Sequence, residues 1–234
     1  TYLRGIRFVQ VPSTLLSMVD SSIGGKTGVD FSQYKNMVGA FYMPKLVYMN
    51  LSTLSTLPER QFYSGMGEGL KSSLIKDGMF YGWIINNLYE VYEKDPEVIR
   101  TMVYNCCNIK RQVVEKDPEE KGDRALLNFG HTIGHGIESS ENLSELYHGE
   151  CVALGMIPMC GEKIRPRVIE VLKKCSLYNM IDFDWEKITE AAFHDKKADG
   201  ADVTVTLVNE PGKFELITMK CTEVIEMAKS CLKG

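Results

Sequence analysis

NFGHTIGHGIESSENLSELYHGE, residues 128–150, holds three of the chain's four histidines, His131, His135 and His148, together with Glu138 and Glu150. His131 and His135 are four residues apart, so on a helix they share one face. His148 follows His131 by 17 residues, across a stretch rich in Ser, Glu and Asn that reads as a loop. Two groups on one helix and a third returning on the next element is a ligand-like arrangement. Neutral imidazole with carboxylate suits zinc or a similar divalent ion. The HExxH zinc motif is absent, because His131-Thr-Ile-Gly-His135 lacks its glutamate. These residues alone leave open a metal site, an acid–base site, or three histidines scattered on a polar helix and loop.

Around this window the pattern is mostly helical. ALLNFGHTIGHGIE (125–138) reads as one buried helix carrying the histidines, and HGECVALGMIPMC (148–160) as a second with small residues. Upstream, Asp95-Pro96-Glu97 opens a helix to about Glu115. Its apolar stripe runs Ile99, Val103, Cys106, Lys110, Val113, so Lys110 either snorkels outward or points into a wet site. A polar loop, EKDPEEKGDR, fills 115–124. From Pro58, ERQFYSGMGEGLKSSLIKD places Phe62, Met66, Leu70 and Leu74 at four-residue steps. Gly65, Gly67 and Gly69 interrupt that helix at about 1 kcal/mol each, which points to close approach of another helix or a ligand. Glu68 and Lys71 are three apart and share a face.

Before residue 51 the chain is mixed. IRFVQV (6–11) reads as a short buried strand ended by Pro12, and Ser13 or Thr14 caps a helix to about Ser21. Ser22-Ile-Gly-Gly-Lys-Thr-Gly28 is a glycine-rich turn. It is not a P-loop, since Asp20 stands where the Walker glycine belongs. A bend is expected at Gly39, a strand over 45–50, and Ser/Thr caps or ligand contacts in LSTLSTL (51–57). Towards the other end, 163–180 and 185–194 read as short helices. VTVTLVNEPGKFELITM (203–219) is a hairpin about a Pro-Gly turn, and a terminal helix follows.

The totals fit a foldable enzyme-sized chain. At 234 residues, folding buries roughly 70–75% of the unfolded surface without staples. A net charge of −4 with no basic block argues against a nucleic-acid platform. No apolar run approaches a membrane span. Seven cysteines without a CxxC are expected as reduced thiols in a cytoplasmic protein.

Six stretches in this order carry a resemblance: VPSTLLSMVDSSIGGKTGVD (11–30), KNMVGAFYMP (35–44), GMGEGLK (65–71), LLNFGHTIGHGIE (126–138), YHGECVALGM (147–156) and DKK (195–197). Together they resemble the 3-dehydroquinate synthase family of the sugar-phosphate cyclase superfamily. The resemblance implies an α+β chain. Residues 1–51 are expected to be the end of an α/β NAD-binding domain whose earlier half lies outside this sequence. Residues 52–234 are expected to form a mainly helical metal- and substrate-binding domain with a small β-hairpin.

The resemblance also implies roles. Glu68, His131 and His148 match the ligands of one divalent metal, zinc or alternatively cobalt. His135 matches a proton-transfer group beside the substrate. Lys71, Lys110, Arg124, Asn128 and Lys197 of the DKK match residues that bind substrate carboxylate, hydroxyls and phosphate. Asp20, Lys26 and Asn36 match the junction of nicotinamide and substrate. Ser13, Thr14, Lys35, Thr53, Leu54, Ser55 and Thr56 match NAD contacts. Arg4 matches an arginine reaching the phosphate in the neighbouring subunit of a homodimer, and Glu120 a proton acceptor. Ser64 departs from the substrate-binding Asn often found there. The implied reaction takes a heptulosonate phosphate to dehydroquinate and phosphate through transient NAD oxidation, β-elimination, re-reduction and aldol closure. Alternatives are another cyclase of the superfamily, such as a deoxy-inosose or valiolone synthase, a metal-dependent dehydrogenase of the iron-containing group, or a helical metal-binding module without catalysis.

Overall fold

Phe62, Met66, Leu70 and Leu74 are all 1% exposed or less, and they make the helix Glu59–Lys76 (α1) the axis of the core. The computed structural model describes residues 5–31, 34–140, 146–193 and 201–233, with backbone only at 30, 31 and 34–37. Helices Gly78–Asn86 (α2) and Leu88–Tyr92 (α3) follow, the first capped by Asp77, whose Oδ1 accepts the Phe80 N–H. Pro96–Lys116 (α4) starts as expected: Asp95 accepts from the Glu97 and Val98 N–H groups at 3.0 Å, and Pro96 fills the first turn, where no donor is needed.

The predicted helix 125–138 is broken. A 3-10 turn, Asp123–Asn128, comes first, and His131–Ser140 (α5) begins only after Gly130. Gly130 has φ +77°, and an added Cβ would lie 2.7 Å from Met156 and from the Val152 carbonyl. The run of apolar residues concealed this turn. Its effect is to put His131 on the first turn of α5. His148–Met156 (α6) packs on α5 and on α1, and Trp185–Ala192 (α8) covers α5. Arg165–Lys174 (α7) lies between α6 and α8 in sequence.

The strands are short pairs. Val9–Gln10 (β1) runs parallel to Leu46–Val47 (β4). The expected buried strand 6–11 is thus two residues long, and its apolar residues face outward, with Val9 52% and Val11 65% exposed. Lys26–Phe31 (β2) and Tyr34–Phe41 (β3) form an antiparallel hairpin that the sequence reading missed. Gly39 is paired inside β3, opposite Gly28, and is not a bend. The hairpin Asp202–Glu210 (β5) and Lys213–Lys220 (β6) forms as expected, and the Gly212 N–H at its tip donates to the Leu74 carbonyl at the end of α1. Cys221–Cys231 (α9) ends the chain, and all seven cysteines are free thiols. Among the described residues, no helix is long and apolar enough to cross a membrane.

Candidate metal and anion site

Three close approaches set the site. The Cβ an alanine would add at Gly67 lies 2.4 Å from the Gly149 carbonyl, and one at Gly149 lies 1.8 Å from the Ser64 carbonyl. Only glycines let α1 and α6 cross this closely. Ser64 Oγ also accepts the Gly149 N–H at 3.0 Å, so Ser64 holds the helix crossing together. The glycine-rich turn of α1 therefore meets a helix, and Glu68 comes to lie beneath the first turn of α6.

Glu68 is 1% exposed, and neither carboxylate oxygen accepts a hydrogen bond of ordinary geometry. Oε2 faces the Lys71 ammonium, and Oε1 lies 3.4 Å from His131 Nε2 and 3.5 Å from His148 Nε2. His131 Nδ1 is 3.1 Å from the Phe129 carbonyl, and His148 Nδ1 is 3.2 Å from Glu138 Oε2. Both Nδ1 atoms thus meet acceptors, which favours N–H there and turns both Nε2 atoms toward the Glu68 carboxylate. Each of His131, His135 and His148 offers a donor atom within 4.8 Å of the others. His135 is exposed, its ring 5.1 Å from that of His131.

The electrostatics follow the burial. Burial raises the pKa of Glu68, but the Lys71 charge and the two imidazoles outweigh it and hold the carboxyl well below its ordinary range. Burial, then the Lys71 charge, push His131 down to about 3. Burial also depresses His148, yet the Glu138 and Glu68 carboxylates beside it raise it to about 9.

Next to Glu68 is a cationic floor. Helix residues 17–21 form a π-helical turn, which swings Asp20 inward. Lys110 donates to the Asp20 carbonyl at 2.8 Å and pairs with its carboxylate at 2.9 Å, while Lys71 lies 3.5 Å from the same carboxylate. Lys110 in the apolar stripe therefore points inward. Burial lowers its pKa, as does Lys71, against the opposing pull of Asp20. Burial likewise works against Lys71, but Asp20 and Glu68 keep its pKa above the ordinary value. Arg124, 1% exposed, donates to the Pro118 and Gly24 carbonyls at 2.7 and 2.9 Å, and its Nε has no partner. Three more expected residues meet at the rim: Glu120 pairs with Lys26 and accepts from Asn128 Nδ2 at 3.0 Å. Glu120 has φ +57° in a loop whose N–H groups at 121, 122 and 124 all donate to Asp117.

Other expected residues fall elsewhere. Thr14 Oγ1 pairs with Ser17 Oγ at 2.8 Å and helps start the turn bearing Asp20, while Ser13 is exposed. Thr53, Ser55 and Thr56 lie in the 3-10 turn Leu51–Thr56, and their hydroxyls donate to carbonyls of that turn and its cap. The Leu54 side chain, at 2% exposure, packs into the core beneath that turn. Arg4 and Lys197 lie outside the described residues, as do the side chains of Lys35 and Asn36. The sequence reading assigned no role to Glu138, the His148 partner, or to Glu150. Glu150 is 1% exposed and accepts Arg60 Nε and Nη2 at 2.8 and 2.9 Å and the Tyr147 N–H at 2.6 Å. It thus caps α6. An acid three residues after the start of a helix was the available signal.

Residues 1–64 match the family model of the 3-dehydroquinate synthase N-terminal region, and residues 65–198 that of its C-terminal region. The 3-dehydroquinate synthase of Acetivibrio thermocellus is 46% identical over 217 residues, covering 88% of this chain and 60% of the relative. The chain thus spans about three-fifths of that relative's length. A 2-deoxy-scyllo-inosose synthase complexed with carbaglucose-6-phosphate, NAD+ and Co2+ superposes with a TM-score of 0.80 at 27% identity, over 98% of this chain and 68% of that one. A 2-epi-5-epi-valiolone synthase from Streptomyces hygroscopicus with NAD+ and Zn2+ bound shares the fold, with a TM-score of 0.85 at 24% identity, over 99% of this chain and 67% of that one.

Proposed function

The chain belongs to the 3-dehydroquinate synthase family, and from that premise we propose that it forms the metal- and substrate-binding part of a phosphate-eliminating cyclase. The conversion is of 3-deoxy-D-arabino-heptulosonate 7-phosphate to 3-dehydroquinate and phosphate, with NAD restored in each cycle. Residues 52–234 form the metal and substrate domain, and 1–51 the end of the NAD domain. The working protein is a cytoplasmic homodimer to which Arg4 contributes across the interface.

One observation carries the reading. Glu68 Oε1 is buried without a hydrogen-bond donor and is faced at 3.4 and 3.5 Å by two Nε2 atoms. His131, held neutral, turns an acceptor toward this buried carboxylate, and in the metal-free chain a proton on His148 offsets it; a divalent ion would take the place of that proton, and one carboxylate with two imidazoles fits zinc or cobalt. When bound, the cation stabilises negative charge on a substrate hydroxyl oxygen while NAD takes up and returns hydride.

The chain's own residues do the rest. Lys71 and Lys110 hold anionic groups of the substrate deep in the site, and Asp20 keeps both ammonium groups oriented. Arg124, whose guanidinium donates to two main-chain carbonyls and so keeps its charge uncompensated by them, adds a third cation. Asn128 and Lys26 close the rim and orient Glu120 as a proton acceptor, and the DKK lysine Lys197 adds a contact to substrate phosphate. His135 moves a proton at the mouth, beside the metal ligands without joining them. Ser13, Thr14, Lys35 and the 53–56 turn face the nucleotide, and Asn36 the nicotinamide junction.

The test supplies the full-length polypeptide with NAD, zinc and either the heptulosonate phosphate or glucose 6-phosphate. The expected result is phosphate released from the first, one per dehydroquinate formed. Release from the second alone assigns the site to a different cyclase. In the same assay His135→Ala is expected to lower kcat by roughly 10²–10⁴ while retaining one zinc per chain. Loss of the zinc makes His135 a ligand and removes it from proton transfer.

A further inference from the structure

The two candidate ligand histidines are braced differently. His131 Nδ1 meets the Phe129 carbonyl at 3.1 Å, a backbone atom fixed by the turn at Gly130. His148 Nδ1 meets a side chain, Glu138 Oε2 at 3.2 Å. Glu138 lies on α5, about two turns beyond His131, and reaches across to the first residue of α6. Its side chain is 11% exposed and that of His148 31%, so the contact is shielded but reachable from the site.

The contact is not needed to join the helices. A Cβ at Gly155 would lie 2.0 Å from the Gly130 carbonyl, and one at Gly134 would lie 3.0 Å from the Cys151 carbonyl. Backbone already meets backbone along that seam. What the carboxylate adds is direction. An ionised acceptor at Nδ1 fixes the imidazole tautomer, stops ring rotation and makes Nε2 a better donor to a cation.

We propose that Glu138 is a positioning residue for His148, holding its ring so that Nε2 completes the set with Glu68 and His131. This rests on the metal-site reading above. His131 needs no such residue, because its brace is part of the main chain.

The test uses the full chain and zinc alone, with chelator competition for Kd, the visible spectrum of the cobalt form, and the metal-free melting temperature. Glu138→Ala is expected to weaken zinc 10- to 100-fold and to change the cobalt spectrum. The metal-free melting temperature is expected to stay within about 4 °C, as for a partly exposed pair. Glu138→Gln keeps an acceptor oxygen and is expected to fall between Ala and the parent. Glu138→Ala with parent-like Kd and spectrum overturns the proposal. So does a larger fall in melting temperature accounting for the lost zinc, which makes the pair a structural tie. Glu68→Ala separates the two readings. If it loses zinc while Glu138→Ala does not, only the positioning role fails; if it keeps zinc, the site reading fails and this one with it.

Discussion

Glu68→Gln is expected to leave the chain folded and to weaken zinc binding by at least about 100-fold. The amide matches the carboxylate in shape, so α1 and its crossing with α6 are undisturbed. What changes is the charge between Lys71 and the two Nε2 atoms. Apparent zinc binding energies of about 10–16 kcal/mol in fully ligated sites put a single anionic ligand at about 3 kcal/mol or more. In the metal-free chain the cost is smaller. Lys71 retains Asp20 at 3.5 Å, so its buried ammonium is not left alone. Of the order of 1–3 kcal/mol is expected, far from enough to unfold a domain of this size. Zinc content by elemental analysis and melting temperature separate the two effects. One zinc per chain with unchanged Kd removes Glu68 from the ligand set.

Legibility tracked how local the signal was. The α1 stripe, the Asp95-Pro96 start of α4 and the Pro-Gly hairpin β5–β6 each rest on neighbours in sequence, and each formed as expected. Lys110 was visible as a misfit in an apolar stripe, and Asp20 is the reason it points inward. The β2–β3 hairpin was not legible, because KTGVDF and YKNMVGAF put glycines and polar groups where alternating apolar residues would mark strands. The turn at Phe129–Gly130 hid inside a stretch, ALLNFGHTIGHGIE, that reads as one continuous helix. At the site, spacing alone gathered the histidines but could not reach Glu68, 63 positions before His131. That ligand assignment came from the resemblance to a family, and as a proposal it is supported by the approach of both Nε2 atoms to Glu68 Oε1. Glu138 stood in the same window as the histidines, but nothing in the sequence marked which ring it would face.

Alanine at two glycines of α1 and α6 is expected to act with opposite sign. Gly149→Ala places a methyl 1.8 Å from the Ser64 carbonyl, a backbone atom that no rotamer change can move. Relief requires α1 and α6 to separate by more than 1 Å, with loss of the bond from the Gly149 N–H to Ser64 Oγ. A loss of about 4 kcal/mol or more is expected, a fall in melting temperature of roughly 8–16 °C for a chain this long. The same separation carries His148 away from Glu68, so zinc binding should weaken as well. Gly69 lies on α1, two residues beyond Gly67 and on a different face of that helix, and the methyl of Gly69→Ala meets only Cys106 Sγ at 3.9 Å. There the gain in helix propensity stands unopposed, and a rise of about 1 kcal/mol, or some 2–4 °C, is expected. Because both substitutions put the same methyl into a helix, the intrinsic preference for alanine nearly cancels between them. The difference that remains measures how closely the two backbones approach. Equal melting temperatures mean that the helices do not cross at Gly67 and Gly149, and Glu68 then no longer lies beneath the first turn of α6.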